Sequence, residues 1–490
     1  MAEILIRIHP MRILLFTCLF LSLHFSSISQ SYSIKGKIKG WKDTVCYFGN
    51  HYGEKKYVKD TARIDKNGNF VFEGKEKLPG GIYLIVYPNK NYSEMVIDHE
   101  QNFKIEIDTA KLMESIQFKG SEENTNFYKF QNFVAKQYKD AEPSRKALAR
   151  IKADSTRSED TKKDSLKILQ KKLGEVDKSV ESYQQNFIKE NPNSFVSTIF
   201  KAQKEPVVPE TPLLPNGKKD STFPYRYFKD HYWDNISLTD DRLLRTPIFH
   251  NKLKFYFDKM VMQHPDSIIK EADIVTEKAS SNKEMFKYIT YYITTTYETS
   301  KNMGMDAVFV HEVEKYYMTG KAFWVDSIQV QKIIHRGLTL KPLLLGKQAP
   351  PMIMQDTLDK NISLYEVKSK YTVLVFWDPD CGHCQKVMPK LKEVYENKLK
   401  AKGVTVYSVD IEDVEDKWKK FLRDKKLNFI NVHDKYKQYY LRQMYDIYST
   451  PVIYLLDTEK KIRAKRIEAE QIDGFIDHLE KAKEKEKKQH

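Results

Sequence analysis

The sequence contains few of the residues that cross-link or interrupt a chain: 4 cysteines, 18 glycines and 18 prolines in 490 residues. This composition excludes a collagen-like protein or a long low-complexity linker. Four cysteines are also too few for a scaffold built on disulfide bonds, so hydrophobic cores must hold the fold together. Hydrophobic residues make up 41% of the chain, which is too large a share for intrinsic disorder. A chain of this length forms about two to four globular domains.

Long apolar runs are also scarce, and the notable one lies near the N-terminus, at residues 13–25. A basic stretch that ends at Arg12 precedes it, and mostly small residues follow it at 26–29. This order is typical of a secretory signal peptide. Because the run is shorter than the roughly 17 residues that span a bilayer, we predict a cleaved signal peptide over residues 1–29 and no membrane anchor.

Export changes the interpretation of the charge. The 82 lysines and arginines exceed the 67 acidic residues, which gives a formal net charge of +15. In the cytosol this excess would suggest nucleic-acid binding, whereas in an exported protein it favours weak, salt-sensitive attraction to anionic partners or membrane surfaces. We therefore expect a periplasmic protein that associates with membranes only peripherally, with no nucleic-acid partner. Met1 and Met11 are alternative start sites, and Cys18 lies inside the signal, so cleavage leaves three cysteines.

Residues 31–134 have the pattern of a β-rich domain. Short alternating runs bounded by turn residues indicate strands, and Asn67-Gly68 between two of them suits a type I′ hairpin. Several short strands with such turns predict an antiparallel β-sandwich. Cys46 lies on one of these strands, and we interpret it as a small buried residue in preference to a third redox group.

Residues 135–340 are predicted to form a helical domain, because the period of the apolar residues changes there. From Leu169 to Phe187 they recur at spacings of four and three, which describes one face of an amphipathic helix. We interpret that face as packing surface. The scattered histidines show no metal-ligand spacing, and we interpret them as packing or surface residues: His231, His250, His264 and His311.

Residues 346–490 alternate between strand and helix patterns. A continuous apolar run at 371–376 is typical of a strand buried on both faces, and a helix is predicted over 383–398. A second strand and helix and then a hairpin over 452–467 predict a mixed sheet with helices on both faces. The predicted fold class is therefore multidomain: an N-terminal antiparallel β-sandwich, a helical middle domain and a C-terminal α/β domain.

The sequence Cys381-Gly382-His383-Cys384 lies where the buried strand meets the following helix. A sulfur at a helix N-terminus faces unpaired backbone N–H groups, which favour the thiolate over the thiol. Cys381 is therefore the predicted nucleophile, and Cys384, one turn further into the helix, is the predicted resolving cysteine. Gly382 leaves room for a partner backbone, and His383 can donate a hydrogen bond or a positive charge to the thiolate.

Two structural interpretations of this motif are weaker. A structural zinc site needs four ligands, and no second close pair of cysteines or histidines accompanies the first. A disulfide across two intervening residues closes a very small loop and stabilises little. We therefore expect a redox-active disulfide between Cys381 and Cys384, with no metal and no other cofactor.

The segment 376–384, together with Pro389 and the sequence at 449–451, resembles the thioredoxin superfamily over residues 346–490. A long stretch of sequence separates the cysteine motif from Pro451, and in this respect the region is similar to the exported TlpA/ResA-like branch of the superfamily. The resemblance implies a thioredoxin-like fold.

The same resemblance implies roles for single residues. Trp377 would pack beside the site, and Pro389 would kink the active-site helix. Pro451 would be a cis-proline that faces the cysteines, and with Thr450 it would bind the extended segment of a partner. Many thioredoxins also keep a buried acid two residues before the tryptophan, but Val375 stands here.

That departure leaves the proton transfer to and from Cys384 unassigned. We interpret Asp378 and Asp380 as loop or helix-capping residues, so that water and His383 are the remaining candidates for the proton transfer.

The upstream regions resemble two uncharacterised domains that precede such a thioredoxin domain in many exported proteins of Gram-negative bacteria. The resemblance rests on the sequences at 60–62, 67–70, 120–124, 231–234 and 246–247.

The combined expectation is an exported thiol-disulfide oxidoreductase that reduces disulfides of proteins in the cell envelope and is recharged by a membrane thiol donor. A disulfide oxidase or isomerase is the first alternative, because a histidine between the cysteines should make the disulfide more oxidising. A binding or scaffold protein tuned by its redox domain is the second. A thiol peroxidase is disfavoured, because Asp378 stands where the threonine three residues before a peroxidatic cysteine is expected.

Overall fold

The computed structural model describes residues 32–155, 158–412 and 414–489. The predicted signal peptide, with both start sites and Cys18, lies outside the described residues. The chain divides into two compact units, one that ends at Phe255 and one that begins at Tyr256. This division falls inside the region that the sequence predicts as one helical domain. Across the described ranges, no helix is both long enough and apolar enough to cross a membrane.

Eight strands in the first unit form two four-stranded sheets. Their bounds are β1 Tyr32–Lys39, β2 Thr44–Tyr52, β3 Lys55–Ile64, β4 Asn69–Gly74, β5 Gly81–Val86, β6 Tyr92–Ile97, β7 Asn102–Asp108 and β8 Gln117–Lys119. The strand orders are β4-β1-β7-β8 and β3-β2-β5-β6. Phe48 of β2 stacks on Phe72 of β4 with ring centroids 5.0 Å apart, so side chains of the two sheets meet in one core.

Two expectations for this region are wrong. β1 and β7 are parallel neighbours, so the first sheet is not purely antiparallel; the long excursion of the chain through β2 to β6 lets β7 return beside β1 in the same direction. Asn67-Gly68 does not close a hairpin, because β3 and β4 belong to different sheets. Gly68 has a φ of 82° and donates its N–H to the Asp65 carbonyl at 3.0 Å, and this turn leads the chain from one sheet to the other.

The helices of the first unit are α1 Leu112–Ser115, α2 Glu122–Ala153, α3 Glu159–Glu190, α4 Phe195–Gln203, α5 Phe223–Asp230 and α6 Pro247–Phe255. The amphipathic helix predicted around residues 169–187 lies within α3. α2 begins at Glu122, although the β-rich pattern was expected to continue to residue 134. Ser121 caps α2, since its side chain accepts a hydrogen bond from the Asn124 N–H at 3.4 Å, and this cap favours helix over strand.

The second unit begins with helices. Its helices are α7 Pro265–Lys278, α8 Lys283–Glu298, α9 Asp306–Glu312, α10 Ser327–Leu340, α11 Cys384–Val394, α12 Glu415–Lys425, α13 Leu441–Met444 and α14 Ile472–Gln489. Segments of π-helix follow α6, α9 and α11 directly, at Tyr256–Met260, Val313–Tyr317 and Tyr395–Leu399. π-Helical turns of this kind recur at functional sites.

A seven-stranded mixed sheet follows, as predicted. Its strands are β9 Ile353–Asp356, β10 Asn361–Ser363, β11 Tyr371–Trp377, β12 Val404–Asp410, β13 Ile430–His433, β14 Val452–Leu456 and β15 Ile462–Lys465, in the order β10-β9-β13-β12-β11-β14-β15. The interior strand β11 is parallel to β12 and antiparallel to β14. Val375 and Trp377 belong to one core cluster, whereas Leu374 and Phe376 belong to another, so both faces of β11 are covered.

Candidate active site

The end of β11 and the start of α11 place the cysteine motif against the core. Trp377 ends the strand; its indole Nε1 donates to Ser408 Oγ on β12 at 2.8 Å, and its ring lies 5.0 Å from that of Phe421. Trp377 and Cys384 are both fully buried in the same hydrophobic cluster. The tryptophan therefore lies in the core around the inner cysteine, where the resemblance implied it.

The two acids before the motif hold the connecting loop. Asp378 Oδ1 accepts a hydrogen bond from the Asp380 N–H at 2.7 Å, and the Asp378 carbonyl accepts one from the Cys381 N–H at 3.2 Å. The Asp380 carboxylate pairs with Lys417 Nζ at 2.6 Å on the surface. Both acids thus serve the loop, in agreement with their interpretation as loop residues.

The helix begins at the inner cysteine, with His383 at the N-cap position. The His383 side chain is exposed and, within the described ranges, its ring makes no hydrogen bond. The predicted hydrogen bond from the imidazole to the thiolate is therefore not found. The backbone N–H of His383 instead donates to Cys381 and helps to lower its pKa. A Cβ at Gly382 would have no neighbour within 4 Å, so the motif presents an open face. Pro389 lies inside α11.

The two sulfurs have opposite electrostatic environments. Burial by itself raises the pKa of Cys381, but hydrogen bonds with Thr450, with the Cys384 N–H and with the Cys384 thiol outweigh it, so the pKa falls below the ordinary cysteine value. Burial raises the pKa of Cys384 to about 12. The partly exposed Cys381 therefore carries the larger share of thiolate at neutral pH, and the buried Cys384 keeps its proton.

The loop before β14 completes the site. Cys381 Sγ lies 3.5 Å from the carbonyl oxygen of Thr450, to which the thiol donates. The Thr450–Pro451 peptide bond is cis, as the resemblance implied. The fold therefore brings the predicted partner-binding residues to the predicted nucleophile across 69 positions of sequence.

Sequence reasoning missed the side chains that hold this loop. The Asp446 carboxylate is buried and accepts hydrogen bonds from Arg336 of α10 and from Arg466, the latter at 2.7 Å. The Arg336 guanidinium also lies over the ring of Tyr448, 5.0 Å from its centroid. Arg336 and Asp446 are 110 residues apart, so no local pattern could have indicated the pair.

Other predicted positions lie outside this arrangement. Val375 is fully buried in β11, at the position where many thioredoxins keep a buried acid. Cys46 is fully buried in β2, donates its S–H to the Ala62 carbonyl at 3.8 Å, and has a pKa raised by burial to about 12. This confirms Cys46 as a buried residue.

Two groups of side chains among the described residues could hold a metal ion, and neither contains a cysteine. They are Asp273, His311 and Glu312 in the helical part of the second unit, and Asp359, Glu415 and His433 beside the sheet. Apart from the neighbours His311 and Glu312, their members are far apart in sequence, which is why ligand spacing did not indicate them.

Family models match three parts of the chain. A model described as the AhpC/TSA family matches residues 345–465. Two domains of unknown function, DUF4369 and DUF5106, match residues 32–127 and 165–338. The predicted order of two uncharacterised domains followed by a thioredoxin-like domain is thereby confirmed.

Relatives match the C-terminal region. The thiol-disulfide oxidoreductase ResA of a Bacillus cereus strain is 31% identical over 138 residues, which cover 28% of this chain and 78% of the relative. ResA of Bacillus subtilis strain 168 is 29% identical over 117 residues, or 24% of this chain and 64% of the relative. A solved domain of a possible thiol-disulfide isomerase from Cytophaga hutchinsonii is 46% identical, covers 29% of this chain and 98% of that domain, and has a TM-score of 0.29.

Proposed function

Since this chain belongs, through its C-terminal domain, to the ResA family of thiol-disulfide oxidoreductases, we propose that Cys381 and Cys384 carry its thiol-disulfide exchange. The observation that carries the assignment of roles is the contrast between the two thiols. Cys381 is partly exposed and its pKa is lowered, whereas Cys384 is fully buried and its pKa is raised to about 12.

The exchange takes place in two displacements. The Cys381 thiolate attacks one sulfur of a partner disulfide; a mixed disulfide forms, and the other partner sulfur leaves as a thiolate. Cys384 then loses its proton and attacks Cys381 Sγ, which releases the second partner sulfur. Two electrons pass from the enzyme dithiol to the partner disulfide, the enzyme pair becomes oxidised, and no cofactor besides the pair takes part.

The loop at Thr450 and Pro451 supports binding of the partner beside Cys381. A strand of the partner that pairs with the backbone before Pro451 would lie along the open face at Gly382. Arg336, Asp446 and Arg466 would hold this loop in position, and they are positioning residues because they act through it.

The second displacement needs a proton acceptor for Cys384. The negative charge on Cys381 contributes to the raised pKa of Cys384, although burial contributes most. Formation of the mixed disulfide removes that charge and so lowers the barrier to deprotonation. Water or the exposed imidazole of His383 would take the proton, because Val375 cannot.

We further propose that the protein is exported by the signal peptide at 1–29, works in the periplasm on proteins of the cell envelope, and is kept reduced by a membrane thiol donor. The chain would then have three domains: a β-sandwich of the two sheets at residues 31–134, a helical domain at 135–340 and a thioredoxin-like domain at 346–490. The opposite direction, disulfide donation, is the second candidate, because the groups that stabilise the Cys381 thiolate also stabilise the reduced pair and make its disulfide more oxidising.

The test is a trapping experiment on the full chain. With Cys384→Ser, the mixed disulfide cannot resolve, so partners should accumulate as adducts that a reductant releases. Cys381→Ser is the matched control and should form none. Equal partner capture by both variants would instead favour a binding or scaffold protein. A titration of the wild-type pair against glutathione buffers then ranks reductase against oxidase.

A further inference from the structure

The helical part of the second unit contains a cluster that thiol chemistry does not use. Asp273 lies on α7, and His311 and Glu312 end α9, directly before the π-helical segment Val313–Tyr317. One carboxylate oxygen of each acid and one ring nitrogen of the histidine all lie within 4.8 Å of one another. The two helices thus bring three metal-binding side chains to one point.

Glu312 is the unexplained member of this cluster. Its side chain is 0% exposed, and across the described ranges neither of its carboxylate oxygens has a hydrogen-bond partner. Proteins rarely leave a buried carboxylate in this condition, because the ionised form loses its hydration without compensation. A bound cation would supply that compensation.

Asp273 and His311 are already directed at each other. His311 Nε2 lies 2.9 Å from Asp273 Oδ1, and Lys315 Nζ lies 2.8 Å from the same oxygen. Each of these three side chains is about one-third exposed, so an ion can reach the cluster from solvent. The ammonium of Lys315 can leave Asp273 for water when a stronger cation arrives.

We propose that Asp273, His311 and Glu312 bind a divalent transition-metal cation, with zinc as the matching ion. One imidazole nitrogen and two carboxylate oxygens are donors that zinc accepts, and water would complete a four-coordinate site. The imidazole disfavours magnesium and calcium, which prefer oxygen ligands alone. The two carboxylates balance the charge of the ion, and the ion ties α7 to α9.

The second candidate group provides a matched control. Asp359 pairs with Lys435 Nζ at 2.6 Å and Glu415 with Lys419 Nζ at 2.5 Å, so that group has no unpartnered buried carboxylate like that of Glu312. Asp359 is also exposed at the surface. Zinc should therefore not depend on this group, although its donor types are the same.

The experiment is a zinc titration of the full chain carrying Cys381→Ser and Cys384→Ser, against a competing chromophoric chelator. Removing both thiols keeps zinc off the redox pair and makes the result independent of the proposed thiol chemistry. We expect one bound zinc per chain, and Glu312→Gln or His311→Gln should weaken binding by at least about tenfold, a loss that even outer-shell partners of metals produce. Lys315→Gln should tighten binding, and Glu415→Gln should leave it unchanged.

Thermal unfolding without metal controls for folding of the variants. His311→Gln changes a partly exposed side chain and Glu312→Gln replaces a carboxyl group by an amide of similar shape, so both chains should fold. Zinc should raise the melting temperature of the parent chain and not that of either variant. No zinc binding by the parent, or binding that both variants retain, overturns the proposal.

Discussion

The difference in thiolate content between the two motif cysteines gives a sharp prediction for alkylation. A cysteine with a pKa near 8.5 is about 3% thiolate at pH 7, and Cys381 should exceed that share because its pKa is lowered. With a pKa of about 12, Cys384 is thiolate in about one molecule in 10⁵ at pH 7. The two thiols should therefore differ in thiolate content by at least about a thousandfold, and Cys381 should react much faster than the buried Cys384.

The assay is iodoacetamide alkylation of the reduced full chain as a function of pH, with peptide mass spectrometry to locate the label. One label per chain should appear at Cys381, with a rate that rises with pH and levels off at a lower pH than for free cysteine. The readout is the pH at which the rate levels off. The absolute rate is less informative, because the intrinsic nucleophilicity of a thiolate falls together with its pKa. Cys46, buried with a pKa of about 12, should stay unlabelled.

Two results would refute the reasoning. A plateau at or above that of free cysteine would show that the groups around Cys381 do not stabilise its thiolate. Equal labelling of Cys381 and Cys384 at neutral pH would show that burial does not hold the proton on the inner sulfur. Cys381→Ser is the control, and it should abolish the fast reaction.

Three further predictions test the surroundings of the site. Arg336→Met removes a partner of the buried Asp446 and should cost about 1–3 kcal/mol of unfolding free energy. Because the same loop carries Thr450, which stabilises the Cys381 thiolate, KM for a protein disulfide should rise and the alkylation plateau should move to higher pH. Gly382→Val adds a side chain in open space, so the unfolding free energy should change by less than about 0.5 kcal/mol. Reduction of a protein disulfide should nevertheless slow by about tenfold or more. An unchanged rate would argue against docking of the partner at Gly382. A hydrogen bond from Lys370 lowers the pKa of Glu480 to about 2 in the folded chain. Because the folded pKa is depressed, this carboxylate stabilises the fold above its unfolded pKa of about 4.3, and the stabilisation is lost as the pH falls towards 2. The unfolding free energy should therefore depend less on pH in this range for Glu480→Gln than for the wild type.

Local patterns predicted much of the C-terminal domain. The apolar run at 371–376 lies in a fully buried interior strand of the sheet, and the helix expected from His383 begins at Cys384. Such features depend on side-chain periodicity and on backbone groups a few residues away, and both can be read along the chain. The same reasoning failed at Asn67-Gly68, because a turn dipeptide does not specify whether the following strand joins the same sheet.

The sequence by itself determined the chemistry of this protein: two cysteines at the junction of a buried strand and a helix, where backbone N–H groups favour a thiolate. Only the tertiary structure decided which sulfur is buried, that Arg336 holds the loop of Asp446, and that Asp273 meets Glu312. The physical reason is that burial and long-range pairing depend on how distant segments pack. Spacing along the chain carries no record of contacts between residues on separate helices or strands.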